Sequence, residues 1–229
     1  MPIWAQVSAD LRRRCTSGDF ADGVPGEHAL SEEYQVSRHT IREAMRALRS
    51  EGVIASQRGR GSVVQARYSQ SLGAVSSLFR SVEAQGAVQS SDVLRLEATV
   101  EPAVAARLGL SPDALLLVLE RVRRADGEAL AHDTSWLPHT LAHPLLGTDF
   151  GHTALYDELG AIGVIVDGGT ERVSAAIADE DLAALLDVNS GAPVLHIERL
   201  ASAQGRPIEW RTTDIRGDRF TVETTYPHR

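Results

Sequence analysis

The stretch Leu30 to Val64, LSEEYQVSRHTIREAMRALRSEGVIASQRGRGSVV, decides how the chain is read. Within it Ile41, Ala44, Met45 and Leu48 recur at i, i+3, i+4 and i+7, one apolar stripe of a helix. At about 100° per residue, Arg38, Arg42, Arg46 and Arg49 fall together on the adjoining quadrant. Ser37 stands where an N-cap is needed, and Gly52 follows the last turn, where a helix stops. A shorter helical piece, Leu30 to Tyr34, precedes this helix across a tight turn at Gln35 to Ser37. Beyond Gly52, Val53 to Ser56 and Ser62 to Val64 read as strands joined by the basic turn Gln57-Arg58-Gly59-Arg60-Gly61. The pattern predicts a winged helix-turn-helix. A helix fits the major groove, guanidinium groups grip phosphates or guanine edges, and glycines let a hairpin backbone approach the duplex. An arginine-rich face can also be simply solvated, but stripe, cap, turn and wing in this order point to double-stranded DNA.

The same residues carry a family resemblance. The run L-S-E-x-Y-x-V-S-R-x-T-I-R-E-A-M, then E-G-V-I and R-G-R-G-S, resembles the GntR family of bacterial transcription regulators. The resemblance implies that Ser37, Arg38, His39, Thr40 and Arg42 contact DNA from the recognition helix, and Arg58, Gly59, Arg60 and Gly61 from the wing. Where that family usually reads P-S-E-R, this chain has Pro25-Gly26-Glu27-His28. Histidine at position 28 removes one expected arginine contact, and Gly26 is a weaker cap than serine. Operator sequence or affinity is therefore expected to differ from the family norm, though the class of partner is not.

At 229 residues, 43% apolar and 24% charged, the chain suits two globular domains. No apolar run approaches the ~18 residues of a membrane span, and no signal peptide opens it, so a cytoplasmic location is expected. The net charge of −8 divides unevenly. Residues 1–68 hold ten arginines against eight acids, whereas residues 69–229 hold thirteen against twenty-three. The front half suits phosphate and the back half would be repelled by it. Every basic residue is arginine, and the single cysteine, Cys15, precludes an internal disulfide. Cys15 lies at the edge of the stripe Ile3, Trp4, Val7 and Leu11 of a first helix, Ile3 to Ser17, where buried packing is its expected role.

The expected organisation is a DNA-binding domain over 1–66, a polar linker over 67–73 and an effector domain over 74–229. A helix is expected over Ala74 to Gln85. Strands follow at Val93 to Val100, Leu115 to Arg123 and Ala129 to Trp136, with Asp126-Gly127 as a hairpin turn. Pro138 to Gly160 is mostly helical, Val166 to Ala178 is a strand, and Asp179 to Asp187 is a short helix. Val194 to Ala203, Pro207 to Arg216 and Phe220 to Tyr226 complete a meander, giving an α+β fold with an antiparallel sheet. Leu119-Glu120-Arg121-Val122 recurs as Ile197-Glu198-Arg199-Leu200, and the offset of 78 residues extends through both hairpins. Two similar hairpins predict a pseudo-twofold sheet with a cleft between halves. The echo breaks at Arg123, whose counterpart is Ala201, and at Asp133, whose counterpart is Arg211. Those breaks are where function is to be sought.

Arg121 and Arg123, two apart on a strand, face one side together and suit a phosphate or carboxylate. Asp133 and Glu209 could accept from hydroxyl or amine groups, although surface cross-strand ion pairs would use the same residues. ERVRRADGEALAHDTSWLP, TALYDEL and GAPVLHIERLASAQGRPIEWRTTDIRGDRF resemble the UTRA effector domain of the HutC subfamily of GntR regulators, over roughly residues 70–226. That resemblance implies a chorismate lyase-like fold that senses a small anion. Arg121 and Arg123 would hold the anionic end, with Thr153, Ala154 and Tyr156 at the family's S-L-Y segment. Asp133 stands for the usual glutamate, and Glu209 matches the acid of the second hairpin. Ile215 and Ala154 replace a common aromatic and a common serine, which changes the effector expected. His132, His139, His143 and His152 lack the partners of a tetrahedral metal site, and neither metal nor cofactor is expected. The expectation is a ligand-responsive regulator, a repressor acting as a homodimer on a palindromic operator, not an enzyme and not a membrane protein. Two other readings stay open: a lyase-like small-molecule enzyme with an appended winged helix, and a winged helix that contacts protein instead of DNA.

Overall fold

The computed structural model describes residues 2–16, 19–20, 23–57, 61–64, 68–71, 78–83 and 86–224. The chain divides into two compact units, Met1–Arg67 and Tyr68–Arg229.

The first unit contains α1 (Ile3–Thr16), α2 (Glu27–Glu33), α3 (Arg38–Ser50), β1 (Ile54–Gln57) and β2 (Gly61–Val64). The apolar stripe of α3 forms the centre of the core, with Ile41, Ala44 and Leu48 fully buried and Met45 nearly so. Val7, Leu11 and Cys15 of α1, Leu30 of α2 and Ile54 of β1 close around it. Removing a side chain the size of Ile41, Met45 or Leu48 from water stabilises by roughly 1.5–3 kcal/mol each. Ser37 caps α3, its Oγ accepting from the Thr40 N–H at 3.2 Å. Gly52 stops the helix with φ at +67°, a conformation that costs a glycine little. Helix α2 starts three residues before the expected Leu30, because Glu27 to Ala29 carry no apolar signal. The β1–β2 hairpin sets Gln57 opposite Gly61, and the Val24 N–H donates to the Ser62 carbonyl at 2.8 Å. Burial raises the Cys15 thiol pKa, as suits a packing residue.

The second unit runs β3 (Tyr68–Ser71), α4 (Leu78–Glu83), β4 (Gln89–Val100), α5 (Pro102–Arg107), β5 (Leu115–Ala125) and β6 (Glu128–Pro138). Then come α6 (His139–Ala142), a 3-10 turn (His143–Gly147), α7 (Leu155–Ala161), β7 (Gly168–Ile177), α8 (Glu180–Leu185), β8 (Pro193–Ala203), β9 (Arg206–Arg216) and β10 (Phe220–Glu223). Six strands form one antiparallel sheet in the order β4-β5-β6-β9-β8-β7. The pseudo-twofold reading is seen in the register. Thr134 of β6 sits opposite Thr212 of β9, and these two are also counterparts in the 78-residue echo. A local twofold axis therefore passes through that pair and relates hairpin β5–β6 to hairpin β8–β9.

Three elements differ from the sequence-based expectation. Tyr68–Ser71, placed in the linker, is a strand that pairs in parallel with β10, with Tyr68 opposite Phe220 and both buried. Correspondingly, β10 does not complete the main meander but leaves it to pair with β3. Alternation along a strand does not say which strand lies beside it, and the serines around Tyr68 concealed its burial. Helix α5 begins with Pro102 in its first turn and is too short for apolar periodicity to announce.

Because the strand period is two, the register sorts side chains by face. On one face Leu117, Leu119 and Leu137 pack with Leu155 and Leu159 of α7, and Ile197 and Ile215 pack with Leu78 and Val82 of α4. Between these two apolar clusters the same face carries a buried polar band. The opposite face holds Leu116 and Trp210 against Leu108, which follows α5, and Val194 against α8.

Candidate functional site: an exposed and a buried arginine cluster

In the first unit Ser37, Arg38, His39 and Arg42 lie on the open side of α3, and Thr40 is half-buried with its Oγ1 2.9 Å from Ser37 Oγ. Arg38 makes no hydrogen bond or ion pair among the described residues. Arg42, half-exposed, donates from Nη2 to Glu27 Oε2 at 2.8 Å, and its neighbourhood holds the Glu27 carboxyl below its ordinary pKa. Arg46 pairs with Glu43 at 2.7 Å, and Arg49 donates to Ser62 Oγ on β2 at 3.1 Å. Exposed pairs of this kind are worth at most about 1 kcal/mol, so phosphate can replace the carboxylates. The glutamate that tethers Arg42 comes from the Pro25-Gly26-Glu27-His28 segment, where His28 is exposed and lies 3.7 Å from Glu32. Of the wing residues, Gly61 opens β2 and is exposed, whereas Arg58, Gly59 and Arg60 lie outside the described residues.

The second cluster is enclosed. The hairpin turn at Asp126-Gly127 sets Arg121 opposite Asp133, and Arg123 projects from the same face one step along. All three are buried to within 1% of full. Arg121 Nη2 donates to Asp133 Oδ2 at 2.8 Å, and Arg123 Nε donates to Oδ1 at 3.0 Å. Arg123 Nη1 reaches Gln89 Oε1 at 3.5 Å. Burial pushes the Asp133 pKa up, but the two guanidinium groups outweigh it and hold the carboxyl well below its usual range. Burial, with Arg121 alongside, pulls Arg123 down to about 10. One carboxylate thus balances two cations. Moreover, Arg121 Nε and Nη1 meet no acceptor among the described residues, although nothing exposes them to water. A buried donor left unpaired is costly and marks a place for a ligand atom. The Phe150 ring, 5.7 Å from the Arg121 guanidinium carbon, closes that side.

A second buried group flanks the first. Tyr156 Oη donates to Glu209 Oε2 at 2.6 Å, and Arg211 Nη2 donates to Tyr156 Oη at 3.3 Å. Arg211 Nε stands 3.8 Å from Glu209 Oε1, which accepts no hydrogen bond among the described residues. Burial lifts the Tyr156 phenol to about 12, so it stays a donor. Burial opposes the charge on Arg211, but Glu209 more than restores it. Between the groups lies a cavity of about 20 Å³, walled by Arg123 and Asp133 of one hairpin, Arg199, Arg211 and Ile215 of the other, and Leu78 of α4. It has room for about one water, so a larger occupant must displace side chains.

Of the residues expected from the sequence, Arg123 and Asp133 wall the cavity, while Arg121, Tyr156 and Glu209 form the layer around it. Thr153 does neither: it precedes α7, and its hydroxyl donates to Glu158 of that helix at 2.7 Å. Arg199 and Arg211 went unassigned to the site. The 78-residue echo marks Arg211 as the break opposite Asp133, and the same offset makes Arg199 the counterpart of Arg121. Among the described residues no three His, Cys, Asp or Glu are placed to share a metal ion, and no helix is long and apolar enough to cross a membrane.

Comparison with known proteins assigns a family to each unit. Residues 4–64 match the model of the bacterial regulatory proteins of the gntR family, and residues 84–221 match that of the UTRA domain. The transcriptional regulator GgaR of Escherichia coli K12 is 30% identical over 225 residues, covering 96% of this chain and 89% of that protein. The transcriptional repressor PhnF of Mycolicibacterium smegmatis is 32% identical over 219 residues, covering 94% and 88%. The crystal structure of PhnF from Mycobacterium smegmatis superposes with a TM-score of 0.70 at 29% identity, over 97% of this chain and all of that one. These relatives are transcription regulators and not enzymes. The helix-turn-helix with its wing hairpin lies within the first matched region and the six-stranded sheet within the second, and the chain belongs to the GntR family of bacterial transcription regulators, with a UTRA effector domain as its second unit.

Proposed function

We propose that the chain is a repressor that binds a palindromic operator as a homodimer in the cytoplasm and whose grip is altered by a small anion. Ser37, Arg38, His39, Thr40 and Arg42 enter the major groove, and Arg58, Gly59, Arg60 and Gly61 approach the backbone beside it. One half-site offers too few contacts for selective binding, and a twofold dimer doubles them. The effector presents a carboxylate or phosphate to Arg121 and Arg123, within the shell formed by Asp133, Tyr156 and Glu209; Thr153 acts only by fixing the start of α7. The observation that carries the reading is Arg121: a fully buried guanidinium with two nitrogens unpaired, in a cluster with more cations than anions. An anion there satisfies both the donors and the charge. Linkage then requires that anion binding and operator binding change one another. Relatives named as repressors include PhnF and the NagR of Bacillus subtilis, the latter 28% identical over 96% of this chain. Gel shift on the DNA upstream of the chain's own gene, with a panel of carboxylates and phosphate esters, tests the proposal. The expected result is a duplex complex that at least one anion weakens; a complex indifferent to every anion would refute the effector role.

A further inference from the structure

We infer that Arg211 sets the charge specificity of the sensor site, which admits ligands that are anionic or hydroxylated at the end facing Arg211 and excludes those carrying an ammonium group there. The inference rests on the effector reading above and concerns a residue that reading does not use. The local twofold axis through Thr134 and Thr212 brings Asp133 and Arg211 to equivalent places on the two central strands. Had the second hairpin repeated the first, a carboxylate would stand at position 211 and the cavity would face acids from both halves. Such a site suits a ligand with a cationic end. Instead the position holds a guanidinium, buried to 6% exposure, on the cavity wall. Glu209, the acid that could have met a ligand amine, is wholly buried and does not line the cavity. Tyr156 covers one of its oxygens at 2.6 Å, and Arg211 stands 3.8 Å from the other. The protein's own cation has taken the place of a ligand's.

The remaining wall reinforces this. Arg199 is paired with Glu171 at the outer strand, so that carboxylate is already engaged by a cation of the protein. Asp133 is committed to Arg121 and Arg123. Thr213 also lines the cavity, and its hydroxyl can donate or accept. A ligand hydroxyl or carboxylate can accept from Arg211, whereas an ammonium would sit beside Arg211 and Arg123, and the nearest acids among the described residues already face guanidinium groups, Asp133 those of Arg121 and Arg123 and Glu209 that of Arg211.

Matched pairs that differ in one substituent isolate this effect: malate against aspartate, 2-hydroxyglutarate against glutamate, and glucose 6-phosphate against glucosamine 6-phosphate. Binding of each is measured by calorimetry and thermal shift on the full chain, its Arg211→Met variant and its Arg211→Lys variant. For any pair that binds, the parent is expected to prefer the hydroxyl member by about tenfold or more, the effect of a like-charge contact of about 1.4 kcal/mol. Arg211→Lys should keep the preference, and Arg211→Met should reduce it to about threefold or reverse it. A parent that takes the ammonium member equally well overturns the inference, as does an Arg211→Met protein that keeps the full preference. Should the methionine variant not fold, the parent's preference within the pairs decides alone. If no member of these pairs binds the parent, the hydroxyl and amine analogues of whichever anion weakens the operator complex take their place; if no anion weakens it, the effector reading itself fails, and this inference falls with it.

Discussion

Two clusters of arginine form the candidate sites of this chain, and they are held in opposite ways. On α3 the guanidinium groups lie in water, each with a carboxylate or hydroxyl partner it can release, or, for Arg38, none. On β5 and β9 they lie in the interior, where a partner is obligatory. The lesson is in the dielectric. An exposed ion pair gains and loses little, so its members are available to any phosphate that arrives. A buried pair loses its hydration first, and removing either member leaves a charge stranded. The same side chain is thus a hand on one unit and a fixed socket on the other.

Removing the counter-ion of the socket should have the largest effect. Asp133→Ala strands two buried guanidinium groups and is expected to destabilise the second unit by roughly 3–5 kcal/mol, read by urea or thermal unfolding of the full chain. A loss below about 1 kcal/mol would show the cluster to be wet and erase the contrast between the units. The pH dependence has a definite sign. The folded Asp133 pKa lies below its unfolded value, so its stabilisation is complete above about pH 4 and lost as pH falls towards the folded pKa. Parent protein should therefore lose stability below about pH 4 more steeply than Asp133→Asn.

Next in size is the loss of Arg38 and Arg42. Each alanine substitution is expected to cost operator binding roughly 1–3 kcal/mol where a base edge is read, and to lower the salt slope by about 0.9 where a phosphate is gripped. Urea unfolding of either variant should stay within about 0.5 kcal/mol of the parent, because nothing buried is disturbed. Unchanged retention on duplex at several salt concentrations would contradict the assignment of α3 to the groove. Ser37→Ala removes the hydroxyl that caps α3 and is expected to destabilise the first unit by about 1 kcal/mol, seen as an earlier unfolding transition. The smallest effect is expected from Glu27→Gln. Freed of its carboxylate, Arg42 should tighten duplex binding by a few tenths of a kcal/mol to about 1 kcal/mol, a gain that fades with added salt. A weakened complex would mean that Glu27 positions Arg42 instead of competing for it.

Much of the first unit was legible because its signals are local. The stripe Ile41, Ala44, Met45 and Leu48, the Ser37 cap and the Gly52 stop each depend on residues within one or two turns. Arg121, Arg123 and Asp133 were legible for the same reason, since Asp126-Gly127 defines the hairpin that brings them together. Tyr68 was not, because its burial depends on Phe220, a partner 152 residues away. Tyr156 and Glu209 could be named by resemblance, but their hydrogen bond across 53 residues had no local signal. Thr153 was placed at the site by its segment, and only the coordinates show its hydroxyl turned to Glu158.

By itself the sequence determined most of the helices and strands, though not β3 or α5, which face of α3 is cationic and which hairpin pairs arginine with acid. Turn chemistry and the helix and strand periods depend on neighbours along the chain, and those are written out in order. Only the tertiary structure decided that β6 lies beside β9, which seats Asp133 and Arg211 about one local axis and makes a single cavity from two hairpins. Partner strands are chosen by packing and register over long separations, through contacts between residues that the chain does not place side by side.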